Sequence, residues 1–274
     1  MGEAHAADDG AAPVRVLNRA GKSAFVILCD HASRHIPAKY GTLGLDAEER
    51  SSHIAWDPGA LPVARRVAEM LDATLVESCV SRLVADCNRP LDAPDLVPEV
   101  SERTEIPGNR GLPIVERKRR IAAVHAPYHA CIDGLIEERV AAGREAFLLA
   151  LHSFTPVYKG VPRPWQVGII HDEDMRLARA VLTAFSAFEE ITVGDNEPYS
   201  PADRVYYTLE RHARSRDLPC VMIEIRNDEI RDESGQRKWA DLLVGILAGM
   251  KPEGHASEVT LPGRKMQVRY GCQE

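Results

Sequence analysis

Two histidines and one glutamate stand at the ends of short apolar runs in the sequence. His31 follows AFVILCD, His152 follows AFLLAL, and Glu224 lies within CVMIEIR. Imidazole and carboxylate groups bind divalent metals, and a catalytic zinc takes three protein ligands and keeps one position open. Taken alone, either histidine could instead be a structural residue whose ring nitrogen is hydrogen-bonded to a backbone carbonyl. Their equivalent positions, with carboxylates nearby, favour a metal site that activates water for hydrolysis.

The third ligand of such a site has three candidates. His35 lies four residues after His31, and both His53 and Asp57 lie within HIAWD. Asp57 is also placed to cap a helix, because an Asp-Pro-Gly sequence is typical of a helix start. The residues alone leave both roles of Asp57 open, and they leave all three side chains as candidate ligands.

Glu224 is flanked by isoleucine on both sides, where an unpaired carboxylate is costly to bury. It is either paired with a neighbouring arginine or serves as a general base for water beside the metal. Arg82, Asn88 and Arg89 follow the second apolar run. Arginine binds carboxylates through two parallel hydrogen bonds, so these donors are candidates for substrate binding. Each of them alone is also typical of a solvated surface.

Motifs of other common chemistries do not occur in the sequence. It contains no G-x-S-x-G, no G-x-x-x-x-G-K-[ST], no G-x-G-x-x-G and no H-E-x-x-H. Serine hydrolases, P-loop nucleotide-binding proteins and dinucleotide-binding Rossmann domains therefore have no support from motifs.

The acidic balance of the chain limits its partners. Its 274 residues include 41 acidic and 34 basic side chains, which gives a formal net charge of −7. Nucleic acids and anionic membranes require clustered Lys and Arg, so neither is expected as a partner. A small anionic ligand remains compatible, because net charge does not describe a single pocket. The sequence leaves the oligomeric state open.

The six cysteines form no C-x-x-C pair, which favours free thiols over a structural zinc site. No signal-peptide pattern is visible, and no apolar stretch approaches the roughly 18 residues of a membrane span. We therefore expect a cytoplasmic, reducing location.

Short β-branched apolar runs alternate with amphipathic helical patterns along the chain. The runs predict strands at 24–29, 74–80, 146–151, 166–170, 191–193 and 220–225. Apolar residues three and four apart predict helices at 59–71, 113–142, 174–188, 201–215 and 236–250. This alternation predicts an α/β fold with a mostly parallel sheet and helices on both faces. Its ligand crevice should lie at the carboxyl ends of the strands.

One catalytic domain is expected over residues 21–250, with peripheral segments at 1–20 and 251–274. Segment 89–113 is rich in Pro and charge and is long for a loop in a compact domain. It is interpreted either as a loop that covers the active site or as a simple surface excursion.

Six segments carry most of the polar residues considered above. They are DHASRHIP (30–37), HIAWDPGA (53–60), SRLVADCNRP (81–90), LHSFTP (151–156), NEPYS (196–200) and IEIRND (223–228). In their order and spacing they resemble the N-formylglutamate amidohydrolase family, over about residues 24–245. The resemblance implies a phosphorylase/hydrolase-like three-layer α/β/α fold, similar to that of zinc carboxypeptidases. It also implies hydrolysis of an N-acyl amino acid, with N-formyl-L-glutamate as the namesake substrate.

The resemblance further implies a metal centre and a base. In zinc carboxypeptidases a His, a Glu three residues later and a distant His bind zinc, and a Glu on a late strand is the base. By similarity, His31 and His152 bind Zn²⁺ or another divalent metal, and Glu224 is the base. The sequence has Arg34 in place of the ligating Glu. Asp57 is the ligand expected instead.

The same resemblance implies a substrate pocket for a small anion. Asn88 and Arg89 match the Asn-Arg pair that holds the substrate carboxylate in carboxypeptidases. Arg82 is expected to stabilise the oxyanion of the tetrahedral intermediate, and Arg163 and Tyr199 to contribute to the pocket. Two alternatives stay open: another N-acyl or peptidyl substrate, or a non-catalytic protein that binds small dicarboxylates.

Overall fold

The structure, a computed structural model, describes residues 12–250 together with the strands at 257–261 and 264–268. Its α-helices are α1 (Ala47–Ser51), α2 (Ala60–Leu71), α3 (Ile114–Arg120), α4 (Ala126–Ala141), α5 (Arg176–Phe185), α6 (Tyr207–His212) and α7 (Glu233–Leu247). Its strands are β1 (Val14–Leu17), β2 (Phe25–Cys29), β3 (Thr74–Ser78), β4 (Val100–Ser101), β5 (Thr104–Glu105), β6 (Phe147–Phe154), β7 (Val157–Tyr158), β8 (Val161–Pro162), β9 (Val167–Ile170), β10 (Val193–Asp195), β11 (Cys220–Arg226), β12 (Ser257–Leu261) and β13 (Arg264–Val268).

Seven strands of the described chain form one mixed sheet in the order β1-β3-β2-β6-β11-β9-β10. The central strands β3, β2, β6 and β11 are parallel to one another. The edge strand β1 runs antiparallel to β3, and the pair β9 and β10 runs antiparallel to β11. The remaining strands form three short antiparallel hairpins. The carboxyl ends of the four central strands therefore lie at one edge of the sheet.

Each buried strand directs alternate side chains to opposite faces of the sheet. In β2, Phe25 and Ile27 pack in a core with α2, α5 and α7, whereas Val26 and Leu28 pack with α4 and the segment after β3. Both faces are thus covered by apolar groups. The expected three-layer α/β/α fold with a mixed, mostly parallel sheet is confirmed.

Five of the six predicted strands are present close to their predicted bounds, and the strand predicted at 191–193 is found two residues later as β10. Two predicted helices are interrupted. A π-helical turn at Ile121–His125 joins α3 to α4. It ends two residues before Pro127, whose ring lacks an N–H and disturbs regular helix bonding. The predicted helix at 201–215 is shortened to α6. Arg204 there adopts a left-handed conformation with φ of 58°, which ends the preceding 3₁₀ turn. No strand was predicted from the sequence at the position of β1.

Segment 89–113 contains the hairpin β4–β5 and two 3₁₀ turns. Its own residues Leu96 and Ile106 are fully buried. The side-chain amide of Asn109 donates to the carbonyls of Leu83 and Pro98, at 2.8 and 2.7 Å. The segment is therefore packed and hydrogen-bonded along its length.

The five cysteines at described positions are free thiols, as expected, and Cys272 lies outside the described residues. Within the described chain, no helix is both long enough and apolar enough to cross a membrane. The expected peripheral segments at 1–20 and 251–274 lie mostly outside the described residues, and β1 forms an edge of the sheet.

Candidate active site

The alternation of side chains in β6 and β11 positions two of the predicted site residues. Leu148 and Ala150 of β6 face the α4 side of the sheet, and His152 continues that series. On β11, Glu224 is the register partner of His152 and therefore points to the same side. His31 follows the neighbouring strand β2 by two residues. The three side chains meet at the carboxyl edge of the sheet.

His31, His152 and Asp57 form a buried cluster at this edge. Nδ1 of His31 lies 3.3 Å from Oδ2 of Asp57, and Nδ1 of His152 lies 2.8 Å from the same oxygen. One donor atom from each residue lies within 4.8 Å of the others, an arrangement that can hold a metal ion. Two imidazoles and one carboxylate are a ligand set that suits zinc.

Asp57 is held by the loop that leads into α2. The helix begins after Gly59, and no side chain caps it, so the alternative interpretation of Asp57 as a helix cap is wrong. Gly59 has a φ of 80°, and a Cβ there would lie 2.3 Å from the carbonyl oxygen of Ile230. Because of this tight turn, the Asp57 carboxylate does not cap the helix and lies close to the two histidines.

Two further aspartates hold the outer nitrogens of the histidine rings. Nε2 of His31 donates to Oδ1 of Asp86 at 2.7 Å, and Nε2 of His152 donates to Oδ2 of Asp30 at 3.0 Å. Both carboxylates are buried. Such partners fix the tautomer and orientation of ligating histidines and leave Nδ1 available for a metal. Sequence analysis assigned no role to either aspartate.

Neighbouring positive charges offset the cost of burying the ionised carboxylates of Asp57 and Asp86. Burial opposes ionisation of Asp57, yet the nearby His31 and His152 hold the pKa of its carboxyl below the ordinary value. For Asp86 the same cost of burial is outweighed by Arg82 and His31, so its pKa lies well below normal. Both carboxylates are therefore charged at neutral pH, as a cation site requires.

Glu224 differs from these aspartates. It is 6% exposed, and Oε2 is buried with no hydrogen-bond partner among the described residues. Burial raises the pKa of Glu224 to about 7, although the positive charge of His152 acts against this increase. A carboxyl group with a pKa near neutrality can both accept and donate a proton. The salt bridge considered as an alternative for Glu224 is not among the ion pairs of the described chain.

Arg82 reaches the cluster from the segment after β3. Its Nε and a terminal nitrogen donate to Oδ2 of Asp86 at 3.1 and 2.8 Å, and Nη1 donates to Oδ1 of Asp57 at 3.4 Å. The guanidinium therefore lies beside the candidate metal ligands and borders the pocket.

Asn88 and Arg89 also line the pocket, but much of their hydrogen-bonding capacity is used within the protein. The Asn88 amide donates to the carbonyl of Val205, and its oxygen accepts from the backbone N–H of Thr208 at 3.0 Å. Arg89 donates through Nε to Asp95 at 2.7 Å. Their backbone and side chains are thus fixed before any ligand binds.

Arg163 and Tyr199 lie next to each other, and Tyr199 lines the same pocket. Nη1 of Arg163 donates to the Tyr199 hydroxyl at 2.9 Å, and the guanidinium lies 4.6 Å from the ring centroids of both Tyr199 and Tyr158. Arg163 is 9% exposed and pairs with no carboxylate within the described chain. It is a cation held mainly by aromatic rings.

The two other candidate ligands lie away from the cluster. His35 is exposed and borders a different surface depression with Arg34. His53 lines the pocket but pairs with Glu102, at 2.9 Å. The structure thus brings Asp57, and neither His35 nor His53, together with His31 and His152.

The pocket in front of the cluster encloses about 200 Å³, which suits a small molecule. One wall is formed by segment 89–113, through residues that include Asp95, Val100 and Glu102. Of the two interpretations of this segment, the structure supports a loop that borders the candidate active site.

A second group of histidines lies behind the pocket. The sequence analysis did not identify this group. His125 and His129 project from the π-helical turn and α4, and His212 ends α6. All three are buried. The spacing of four residues between His125 and His129 places them on one helix face, but no sequence signal connects them to His212.

Acidification is expected to destabilise the fold partly through His129. Burial, together with the charges of His125, His212 and Arg211, lowers the pKa of His129 to about 2, against a smaller opposite effect of Asp30. The unfolded chain binds this proton near a pKa of about 6.5, whereas the folded chain does not. Stability that is present above that pKa is therefore lost as the pH falls. Between about pH 7.5 and about pH 5.5 this group alone removes about 1.4 kcal/mol.

Urea unfolding at these two pH values, for the wild type and for His129→Phe, measures this contribution. The pH-dependent loss of unfolding free energy should be about 1.4 kcal/mol smaller in the variant, which has no group to titrate at this position. Equal losses in the two proteins would contradict the prediction.

The structure is a mixed α/β/α fold with a buried cluster of two histidines and one aspartate at the carboxyl edge of its sheet. The chain belongs to the N-formylglutamate amidohydrolase family, because the model of that family matches residues 23–231, more than half of its length. Membership of this family makes it a hydrolase that acts on amide bonds.

Solved structures share this fold. A gene product of Agrobacterium tumefaciens is 47% identical, with a TM-score of 0.85, and the match covers 87% of this chain and 94% of that one. The N-formylglutamate amidohydrolase of Ralstonia eutropha is 22% identical, with a TM-score of 0.59 and coverage of 85% and 96%. At that identity the likeness shows the fold alone. No match was found among curated protein sequences.

Proposed function

We propose that this chain is a metal-dependent amidohydrolase that cleaves an N-acyl amino acid, with N-formyl-L-glutamate as substrate and formate and glutamate as products. One observation carries the proposal: the buried donor atoms of His31, Asp57 and His152 converge beside a buried Glu224 oxygen without a partner. An unpaired buried carboxyl oxygen is costly, and at such sites it is typical of a catalytic role.

His31, Asp57 and His152 would hold Zn²⁺ or another divalent metal. The fit rests on the donor set and on the outer carboxylates of Asp30 and Asp86, which orient the two imidazoles. When bound, such an ion polarises an acyl carbonyl and lowers the pKa of water, which is the chemistry that amide hydrolysis needs.

Glu224 supplies the proton transfers of the reaction. Its Oε2 accepts a proton from the attacking water and then delivers it to the nitrogen of the departing amino acid. Burial raises the pKa of Glu224 toward neutrality, which suits a group that must both accept and donate a proton. Arg82, anchored by Asp86, presents its remaining N–H groups to the oxyanion of the tetrahedral intermediate.

The substrate is an anion with two carboxylates, and two arginines suit them: one lines the pocket, and the other contacts two tyrosines of its wall. Arg89, with Asn88, binds the α-carboxylate next to the cleaved amide. Arg163, which lacks a carboxylate partner in the described chain, binds the side-chain carboxylate together with Tyr199. Bidentate arginine contacts give these carboxylates both affinity and orientation.

Hydrolysis assays with the zinc-loaded protein test the proposal. N-formyl-L-glutamate should release formate and glutamate in equal amounts, faster than N-acetyl-L-glutamate and faster than N-formyl-L-leucine. Turnover of the leucine compound alone would reject the dicarboxylate substrate. Absence of turnover on all N-acyl amino acids would reject the enzymatic function.

Asp30→Asn is expected to weaken zinc binding by about 10- to 100-fold. The amide keeps the shape of the side chain but removes the charge that orients and polarises His152. Titration with a chromophoric zinc chelator measures the affinity. Asp46→Asn, at the exposed capping box of α1, is a matched control that should bind zinc like the wild type. Wild-type affinity in Asp30→Asn would contradict the role of Asp30.

A further inference from the structure

The segment Cys87–Arg89 is held from behind by two histidines of the π-helical turn and α4. Nε2 of His129 donates to the carbonyl of Cys87 at 2.9 Å, and Nε2 of His125 donates to the carbonyl of Arg89 at 3.0 Å. Each bond ends on the backbone of a residue next to Asn88. The orientation of segment 87–89 at the pocket wall therefore depends on these two rings.

The ring of His129 is fixed at both nitrogens. Its Nδ1 lies 2.8 Å from Nε2 of His212, and Nδ1 of His212 lies 3.0 Å from Oδ1 of Asp133. Arg216 in turn donates to Asp133 at 2.8 Å. A connected series of contacts thus leads from the protein surface, through two buried imidazoles, to the backbone of segment 87–89.

The side chains of segment 87–89 reach the pocket from this fixed backbone. Nη1 of Arg89 donates to the carbonyl of Asn88 at 3.0 Å, so the guanidinium is tied to the same segment that His129 and His125 hold. Thr208 adds only a 3.4 Å contact to the carbonyl of Cys87. The bond from His129 is the shorter of the two side-chain bonds to that carbonyl.

We propose that His129, supported by His125 and His212, is a positioning residue for the α-carboxylate subsite formed by Asn88 and Arg89. The proposal rests on the proposed function, because that function assigns the α-carboxylate to this pair. Without the His129 bond the backbone of segment 87–89 shifts, and Arg89 meets the substrate carboxylate in a poorer geometry. The chemistry at Glu224 is left in place.

Comparison of two substrates tests this role. Wild type and His129→Phe are assayed with N-formyl-L-glutamate and with its α-carboxamide analogue, which lacks the charge that Arg89 binds. The variant is expected to raise KM for the carboxylate substrate by about 10-fold, with a smaller change in kcat. Its kcat/KM for the carboxamide should change by less than about 2-fold. His129→Gln, which can still donate to the carbonyl of Cys87, should recover most of the loss.

Ile132→Ala is the matched control for a purely structural effect. Ile132 is fully buried on the same helix and packs in the core. Its side chain has no hydrogen-bonding group, so it cannot hold segment 87–89 as His129 does. This variant should affect both substrates equally. Equal losses for the two substrates in His129→Phe, or the same selective loss in Ile132→Ala, would overturn the proposal.

Arg89→Gln provides a second test that does not depend on the stability of one variant. In this background, His129→Phe and His212→Phe should add no further increase in KM, because the group that they position is absent. Additive effects would overturn the proposal. If the wild type hydrolyses neither substrate, the proposed function fails separately. Calorimetric binding of L-glutamate and L-isoglutamine then decides the role of His129, with a selective loss for glutamate expected.

Discussion

Replacing Glu224 by Gln is expected to lower kcat by about 10³-fold while zinc stays bound. Gln has nearly the same size and shape, so the pocket and the ligands His31 and His152 keep their positions. The amide cannot accept the proton of the attacking water, and general-base catalysis contributes roughly 10²- to 10⁴-fold. The loss should therefore be in kcat, with little change in metal content.

Steady-state hydrolysis of N-formyl-L-glutamate, with zinc measured by mass spectrometry on the same preparation, checks this prediction. Glu77→Gln is a matched control, because Glu77 is a buried glutamate on β3 that pairs with Arg65 and Arg15 away from the pocket. That variant should retain kcat within about 2-fold once folded. Activity near the wild-type level in Glu224→Gln would show that another group is the base.

Replacing Asp57 by Ala is expected to remove zinc and turnover together. The carboxylate lies within 3.3 Å of Nδ1 on both histidines, and its loss leaves two ligands for a site that needs three. Loss of an outer partner already costs about 10- to 100-fold in affinity, so loss of the ligand itself should exceed about 100-fold.

Two further variants separate Asp57 from the other candidate ligands. His53→Gln and His35→Gln should keep the zinc content of the wild type, because neither histidine lies with His31 and His152. Mass spectrometry on the purified variants gives the content directly, and circular dichroism reports whether each is folded. Zinc retained in Asp57→Ala but lost in His53→Gln would place the third ligand at His53.

The parts of the site that follow from strand periodicity could be predicted from the sequence. His152 and Glu224 end apolar runs, and the alternation of side chains puts both on one face. The same reasoning found the six predicted strands of the sheet. It could not find β1, an edge strand whose alternation VRVL is too short to stand out from its surroundings.

The parts that depend on tertiary contacts could not be predicted. The sequence left Asp57 open between a ligand and a helix cap, because only the fold shows that Oδ2 lies near two histidines that are 26 and 95 residues away. His129 and His212 are 83 residues apart, so their contact has no local pattern. The break in the helix predicted at 201–215 depends on one left-handed residue, Arg204, which helical periodicity does not reveal.

Zinc-dependent release of formate is the most direct test of the central claim. Protein stripped with a chelator is assayed with N-formyl-L-glutamate before and after the addition of zinc, and formate is quantified. We expect the stripped protein to be inactive and one equivalent of zinc per chain to restore turnover. Undiminished turnover in the stripped, zinc-free protein, or no turnover in the zinc-loaded protein, would contradict a metal-dependent amidohydrolase.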